Sequence, residues 1–339
     1  MGIKGFLTWI YNNNPSCIKQ TVKIDCLLID LNFLLYYHSG GLITLKKLIR
    51  NIKMHIYFMI EKMEVNHVII VLDGIPPKAK EKTRKKRMNN MLKKEIDTQF
   101  VNPMDFSTNL LLMENIKKTF IKFSKKIPKI IGSSALTLFG NKDESELKIA
   151  KFINNSDYKS FCIVSNDADT ILLSIMHEKK IYIFNLKPFR KIISIKKLIK
   201  SLENIFMNNN NLRDDFCLIS IMMGNDYIPK LKLVNEKSLI ETYKQFSVLN
   251  LSIFKDSKII IKNFILFLNF LISNMNFFNK VDCNDINFDD AKTYMDGISW
   301  CLRSYKQTTC VDNNFICDIN PQHPLNILLY CNSLHDDNY

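Results

Sequence analysis

Short apolar runs alternate with longer amphipathic stretches through the first 230 residues. Three of these runs, "CLLID" at 26–30, "HVIIVLD" at 67–73 and "FCIVSND" at 161–167, are bounded by turn-forming or polar residues, and "KIYIFNL" at 180–186 is a fourth. Runs that are apolar throughout are typical of strands buried on both faces of a parallel sheet. Because strands alternate with helical patterns, the sequence predicts an α/β fold with a mostly parallel central sheet flanked by helices.

From about residue 195 onward the pattern is helical, with turn-rich breaks near 224–230 and 309–324. The most apolar stretch, 259–278, contains one lysine and four asparagines, which favours a core helix over a membrane span. We predict two domains. An α/β domain at 1–230 carries the acidic and basic motifs described below, and a helical C-terminal region at 231–339 packs on it.

Acidic residues stand at the ends of the three clearest strands, at Asp30, Asp73 and Asp167. In an open parallel sheet, ligands bind at the carboxyl ends of the strands. A helix N-cap would explain one such aspartate, whereas three at one edge favour a shared site. Four more acids follow nearby motifs: Glu144 and Glu146 in "NKDESELKIAKFI", Asp169 in "NDAD" and Asp226 in "MMGNDYIP". Taken alone, the two glutamates are more typical of a helix start, where they stabilise the helix dipole, than of a shared site.

Seven converging carboxylates would need counter-charges. Two like charges about 4 Å apart repel by about 4 kcal/mol at an effective dielectric constant of about 20. Divalent cations with oxygen ligands are the natural compensation, and Mg²⁺ also accepts a substrate phosphate. The sequence therefore predicts two Mg²⁺ ions, with Mn²⁺ as a substitute, which activate a water and stabilise the leaving oxygen of a phosphodiester.

A basic segment follows Asp73 closely. Residues 78–87 hold seven bases and one acid, and the prolines at 76 and 77 fit the first turn of a helix. In that helix Lys80, Arg84 and Arg87 fall on one face, within about 60° of one another. Such a face suits a terminal phosphate, with forked hydrogen bonds from arginine. The alternatives are a solvated charged helix or a nuclear-targeting patch.

The charge balance points to a polyanionic partner. The chain has 47 Lys and Arg against 33 Asp and Glu, a net charge of +14, which favours nucleic acid first and an anionic membrane surface second. Nine cysteines without a CxxC motif are typical of a reducing compartment. Cys301, Cys310, Cys317 and His323 fit no common zinc spacing. With no targeting signal, we predict the cytoplasm, and the Lys/Arg run keeps the nucleus as an alternative.

In the order in which they occur, these motifs resemble the nuclease core of the 5′→3′ exoribonucleases of the Xrn/Rat type. The segments that carry the resemblance run from residue 1 to about 328: "MGIKGFLTWI", "LLIDLNFLLYY", "VLDGIPPKAKEKTRKKR", "NKDESELKIAKFI", "IVSNDADTILLSI", "MMGNDYIPKL", "YMDGISWCL" and "PQHPL". The "GNDYIP" and "DGIPPKAK" segments are the most specific. The resemblance implies a PIN-like 5′ nuclease fold and a compact member of the family.

The resemblance also implies roles for named residues. It implies metal ligation by Asp30, Asp73, Glu144, Glu146, Asp167, Asp169 and Asp226, and 5′-phosphate contacts from Lys80, Arg84 and Arg87. Tyr36 stands where the family has a base-stacking histidine, and tyrosine keeps that ability. The family's second stacking tryptophan, expected after Trp300, is replaced by Phe315. Because the large members have further C-terminal domains, we expect a protein partner that replaces them.

Three functions follow for comparison. The first is a Mg²⁺-dependent 5′→3′ exoribonuclease acting on single-stranded RNA with a 5′-monophosphate, as in mRNA decay. The second is a flap-type 5′ nuclease on DNA, against which stands the absence of glycine in "DYIPKLKLVNEKSLI", where those enzymes carry a glycine-bearing hairpin. The third is a non-catalytic RNA-binding adaptor, which would need neither the seven acids nor divalent ions.

Overall fold

The computed structural model describes residues 3, 5–92, 99–140, 142–186, 190–207, 211–275 and 286–336. Its centre is a seven-stranded sheet in the order β1-β7-β6-β5-β2-β3-β4. The strands are β1 (Ile18–Lys19), β2 (Cys26–Asp30), β3 (His67–Leu72), β4 (Ser134–Phe139), β5 (Ser160–Val164), β6 (Lys180–Asn185) and β7 (Lys191–Ser194). Strands β6, β5, β2, β3 and β4 run parallel, and β7 and β1 join antiparallel to their neighbours. The predicted α/β fold with a mostly parallel sheet is confirmed.

Helices cover both faces of this sheet. Along the first half of the chain they are α1 (Phe6–Asn13), α2 (Leu31–His38), α3 (Leu45–Met63), α4 (Glu81–Leu92), α5 (Asp105–Thr108), α6 (Leu110–Ser124), α7 (Ile127–Ile131), α8 (Ser145–Asn155) and α9 (Ala168–Ile175). Short 3₁₀ turns at Pro15–Cys17 and Lys78–Lys80 precede β1 and α4.

The remaining elements are two helices that precede residue 231 and the predicted helical C-terminal region that follows them. They are α10 (Ile195–Ile205), α11 (Leu212–Met222), α12 (Glu236–Ser247), the hairpin β8 (Phe254–Lys255) and β9 (Lys258–Ile259), α13 (Ile261–Asn274), α14 (Phe288–Gln307) and α15 (Pro324–Asp336). Helix α13 forms most of the predicted core helix at 259–278, whose last three residues lie outside the described part of the chain. Within the described ranges, no helix is both long enough and apolar enough to cross a membrane.

Alternation along the strands builds two buried clusters, one on each face of the sheet. In β2, Leu27 and Ile29 join the cluster with α2, α3 and α6, whereas Leu28 joins the cluster on the opposite face. That second cluster includes residues from both sides of position 230, such as Ile171 and Phe267. The domain boundary near residue 230 stays a prediction.

Candidate active site

The three aspartates at the strand ends leave the same edge of the sheet. Asp30 is the last residue of β2, Asp73 directly follows β3, and Asp167 lies three residues beyond β5. Asp30 and Asp167 also cap helices, because their side chains accept hydrogen bonds from the Phe33 N–H at 3.0 Å and the Asp169 N–H at 3.2 Å. Since β5, β2 and β3 are adjacent and parallel, the three carboxylates belong to one edge.

Hydrogen bonds from Asp73 bring the start of α8 to this edge. Its Oδ1 accepts from the Ser145 backbone N–H at 2.8 Å, and its Oδ2 accepts from Asn32 Nδ2 at 2.6 Å. Ser145 stands between Glu144, which precedes α8 and is 3% exposed, and Glu146 in its first turn. The contact therefore places both predicted glutamates beside the strand-end aspartates.

A tight turn after α11 delivers Asp226. Gly224 has φ +84°, and a Cβ at this position would lie 2.7 Å from the Lys230 backbone nitrogen, so both conformation and space require glycine. The Asn225 side chain accepts hydrogen bonds from the Tyr227 and Ile228 backbone N–H groups, each at 2.9 Å. This turn holds Asp226 buried near the same edge.

Lys80 lies among the acids. Its Nζ forms an ion pair with Glu144 and lies 3.3 Å from Asp226 Oδ2, and its side chain is 13% exposed. Although burial opposes the charged form, the carboxylates of Glu144 and Glu146 raise the pKa of Lys80 well above its usual value. The lysine is therefore a permanent cation inside the acid cluster.

Mutual electrostatic effects link the carboxyl groups of the cluster. Burial and the charge of Asp73 raise the pKa of Asp30 to about 8, with a further contribution from Asp167. Burial, together with the charges of Asp167 and Asp226, raises the pKa of Asp169 well above its usual value. The strand-end aspartates, Asp169 and Asp226 thus lie within electrostatic range of one another.

The two glutamates belong to the same cluster. Burial raises the pKa of Glu144, and it raises the pKa of Glu146 well above its ordinary value. In both cases the charge of Lys80 lowers the pKa and the charge of Asp73 raises it further. Asp226 differs, since Lys80 and Arg87 outweigh the effect of burial and hold its pKa below the usual value. All seven predicted acids are therefore brought together, and their surplus of negative charge is only partly compensated.

A cavity of about 590 Å³ opens beside the acids. Six of the eleven predicted site residues line it: Tyr36, Asp73, Lys80, Arg84, Arg87 and Glu144. Arg87 Nη2 lies 2.5 Å from Asp226 Oδ1, and Arg84 Nη2 donates to the Ser107 carbonyl at 3.3 Å. Tyr36 is half-buried in the wall, with its ring edge-on to Phe106 at a centroid distance of 5.3 Å. The other five predicted residues, all acidic, lie outside the lining of this cavity.

The basic helix begins later than predicted. Pro77 is extended, with φ −65° and ψ 156°, and Lys78–Lys80 form a 3₁₀ turn before α4 begins at Glu81. The predicted helix start at Pro76 and Pro77 is therefore wrong. The 3₁₀ turn directs Lys80 into the acid cluster, while Arg84 and Arg87 in α4 still reach the cavity.

The carboxylate oxygens of the acid cluster are the ligands that hard divalent cations prefer, but the side chains are not yet close enough together to coordinate one. In the described ranges, no group of three or more His, Cys, Asp or Glu side chains has the spacing to hold a metal ion as it stands. Yet Asp169 Oδ1 is buried without a hydrogen-bond partner, and the donors are carboxylate oxygens throughout. An unpaired buried oxygen is costly unless a cation or proton compensates it, which favours a cation site.

Sequence reasoning missed the polar residues that hold the acids. The Tyr227 hydroxyl donates to Glu144, and the Tyr227 ring lies 5.7 Å from Lys80 Nζ. Asn32 binds Asp73, as described above. A signal for both was present, because each lies within two residues of a predicted aspartate.

A C-terminal strap, residues 309–323, ties the acid edge to the basic helix. The Cys310 N–H donates to Asp143 Oδ1 at 3.0 Å, and the Lys78 N–H donates to the Asn313 carbonyl at 3.0 Å. Phe315 stacks on Trp300 at 5.3 Å with an interplanar angle of 20°. Trp300 is buried, and its indole donates to the Asp312 carbonyl at 2.9 Å, so this ring anchors the strap.

Comparison with known proteins gives one family match and several structural likenesses. Residues 1–129 match the family model described as the XRN 5′-3′ exonuclease N-terminus. Two structures of the catalytic core of Rad2 in complex with DNA substrate are similar to this chain at 15% sequence identity. The alignment with complex III covers 98% of this chain and 94% of the Rad2 chain, with a TM-score of 0.54. The alignment with complex II covers 96% of this chain and 94% of the Rad2 chain, with a TM-score of 0.50. No curated protein matches the chain. At this level of identity the structural likeness establishes the fold alone.

Proposed function

From the family match over residues 1–129 and the fold, which support an Xrn-type PIN-like nuclease core with 5′→3′ nuclease activity, we propose a specific reaction. The chain is a Mg²⁺-dependent 5′→3′ exoribonuclease that hydrolyses single-stranded RNA bearing a 5′-monophosphate, and it serves RNA decay. Its substrate is the polyanion that the net charge of +14 favours.

The observation that carries the proposal is the junction of acids and bases in one cavity. Asp73 and Glu144 line the cavity together with Arg84 and Arg87, so a terminal phosphate bound by the arginines lies next to the carboxylates. A nuclease needs both elements side by side, whereas an RNA-binding adaptor needs only the bases.

The seven carboxylates would hold two divalent ions. When bound, such ions lower the pKa of a bound water and stabilise the leaving oxygen of the phosphodiester. Asn32 and Ser145 orient Asp73, and Tyr227 orients Glu144, so these ligands are fixed before substrate arrives.

The cationic wall would select the end of the strand. Arg84 donates to a backbone carbonyl at 3.3 Å, a long bond that a phosphate oxygen would replace with a charge-assisted one. Tyr36 and Phe106 present aromatic surface beside it, and a base can stack on an aromatic ring. A 5′-monophosphate supplies the negative charge that Arg84 and Arg87 would bind in this cavity, whereas a 5′-hydroxyl end lacks it.

The test is a degradation panel. Single-stranded RNA with a 5′-monophosphate, 5′-hydroxyl or 5′-triphosphate is compared with flap DNA, each with Mg²⁺ or EDTA. We expect loss of the monophosphate RNA only, from the 5′ end, in Mg²⁺, and none with Asp167→Ala. Preferential cleavage of flap DNA would replace this proposal with the DNA nuclease, whose fold the chain shares.

Arg84→Ala tests the phosphate assignment. Loss of a charge-assisted hydrogen bond costs about 1.5–3 kcal/mol, so kcat/KM on monophosphate RNA should fall by about 10–100-fold. Activity on hydroxyl-ended RNA should stay unchanged. The matched control is Lys85→Ala, one residue along the same helix, where the exposed side chain pairs with Glu81 at 2.8 Å. An unchanged preference between end groups in Arg84→Ala would refute the assignment.

A further inference from the structure

Lys80 binds the same carboxylate groups that a divalent cation would use as ligands. The ammonium forms an ion pair with Glu144 Oε1 and lies 3.3 Å from Asp226 Oδ2, and both residues are in the proposed ligand set. A divalent ion binds carboxylate oxygens at about 2.0–2.6 Å. An ion at that distance from Glu144 and Asp226 would lie close to the Lys80 ammonium and would be repelled by it. The positive charge of the ammonium therefore opposes the binding of an ion by Glu144 and Asp226.

The surroundings of Lys80 make the ammonium a built-in counter-ion. Its side chain is 13% exposed, its Nζ lies 5.7 Å from the centre of the Tyr227 ring, and it also lines the substrate cavity. The Lys80 amine can therefore break its ion pairs with the acids and remain in the site, because the cavity beside it is also lined by polar groups.

We propose that Lys80 competes with the metal ions for Glu144 and Asp226, and that metal binding turns its amine from the acids toward the cavity, where it meets the 5′-phosphate. The inference rests on the proposed function. It links the two halves of the site in one order of events: ion binding frees the lysine, and the freed lysine strengthens the phosphate clamp. Lys80 is then a group that enforces ion binding before substrate binding.

The first experiment measures ion affinity. Calorimetric titration with Mn²⁺ compares the wild type with Lys80→Met, which keeps the side-chain length and removes the charge. Without its internal competitor, the variant should bind Mn²⁺ at least tenfold more tightly. Lys85→Met is the matched control, since Lys85 is exposed and pairs with Glu81 in the same helix at 2.8 Å, and its Mn²⁺ affinity should equal that of the wild type. An affinity of Lys80→Met equal to or weaker than that of the wild type would overturn the competition.

A second experiment needs no variant. Reductive methylation of lysines in the wild type, read by peptide mass spectrometry, reports how accessible each amine is. Addition of Ca²⁺, which occupies oxygen sites without supporting rapid hydrolysis, should speed labelling of Lys80 several-fold. Lys306 is the internal control, because its Nζ pairs with Asp214, a residue outside the proposed ligand set, at 2.7 Å. Unchanged or slower labelling of Lys80 would refute the movement.

The two failures are distinguishable. If the wild type binds no divalent ion and degrades no RNA, the proposed function itself is wrong. If the wild type binds Mn²⁺ and degrades RNA but Lys80→Met binds no more tightly, the nuclease stands and the competition alone is wrong.

Discussion

At the scale of single residues, two buried aspartates differ in how fully their oxygens are hydrogen-bonded. Asp215 is also fully buried, but it accepts hydrogen bonds from the Ile253 and Phe254 N–H groups at 2.9 and 2.8 Å and from the Tyr243 hydroxyl at 3.2 Å. Asp169 is buried with one oxygen lacking a partner. We therefore expect the side chain of Asp215 to stabilise the fold and the side chain of Asp169 to oppose it.

This contrast predicts opposite effects of the same substitution. At a pH above the raised pKa of Asp169, Asp169→Asn removes a buried charge with one unpartnered oxygen and should raise the free energy of unfolding in EDTA by about 1–3 kcal/mol, while abolishing nuclease activity. Asp215→Asn weakens three satisfied bonds and should lower it by about 1–3 kcal/mol. Urea denaturation of both variants measures this. A destabilised Asp169→Asn would show that the carboxylate has partners of its own.

The raised carboxyl pKa values predict how stability depends on pH. Burial first, and the charge of Asp73 second, raise the pKa of Asp30 from 3.8 to about 8, and burial raises that of Asp215 to about 7. These groups bind protons more tightly folded than unfolded, so their contribution is full below about pH 4 and is lost as the pH rises to 7–8. The urea midpoint in EDTA should fall between pH 5 and 8.5. Ca²⁺ should reduce that fall, since it binds the ionised form; a midpoint that rises with pH in EDTA would contradict this assignment.

At the scale of elements, the sequence predicted the longer apolar strands and missed the strands that are short, such as β7, or partly exposed. Strand β2 has the predicted bounds because "CLLID" is apolar and entirely buried. Strand β4 escaped prediction because it is an edge strand with partly exposed residues, and β8 and β9 are only two residues long each. Periodicity reports burial, so it loses its signal where a strand lies at an edge.

The acids of the site were predictable and the position of Lys80 was not. Each aspartate follows an apolar strand or a Gly-Asn turn, features that are local in sequence. Helical spacing placed Lys80 on one face with Arg84 and Arg87, and all three line the cavity, but no local signal predicted the ion pair of Lys80 with Glu144, 64 positions further along the chain. Contacts of that separation depend on tertiary packing, which one sequence does not encode locally.

Gly224 gives a test of how one turn positions an acid. Gly224→Ala would force φ +84° on an alanine and place its Cβ 2.7 Å from the Lys230 nitrogen, so the turn must shift and move Asp226. We expect a loss of about 1–3 kcal/mol in the free energy of unfolding, together with weaker Mn²⁺ binding. Gly41→Ala is the control, because Gly41 has φ +87° but nothing within 4 Å of an added Cβ. Equal effects of the two substitutions would mean that the close approach to Lys230 is unimportant.

At the scale of the whole molecule, the strap makes the helical C-terminal region part of the site. Asp143 is the link: it has φ +60°, its carbonyl accepts from the Gly74 N–H at 2.9 Å, and its carboxylate accepts from Cys310 in the strap. The next residue, Glu144, contacts Lys80. Asp143 thereby gives the C-terminal region a direct connection to the acid edge.

Asp143→Ala should therefore lower the nuclease activity, although Asp143 acts by positioning Glu144 rather than by contacting the substrate. We expect kcat to fall about tenfold or more, with a smaller change in KM, because the substitution misplaces Glu144 and leaves the arginines in position. Asp256→Ala is the control, since Asp256 also has a positive φ, of +50°, in the distant β8–β9 turn. Steady-state kinetics on monophosphate RNA checks both variants. Wild-type kcat in Asp143→Ala would show that the strap does not position Glu144.

The account as a whole rests on divalent ions binding the acid cluster, and anomalous scattering from Mn²⁺ soaked into crystals tests this most directly. We predict anomalous peaks between the strand-end aspartates and the Glu144–Glu146 pair, with Lys80 turned toward the cavity. Peaks elsewhere, or none at this edge at millimolar Mn²⁺, would contradict the claim.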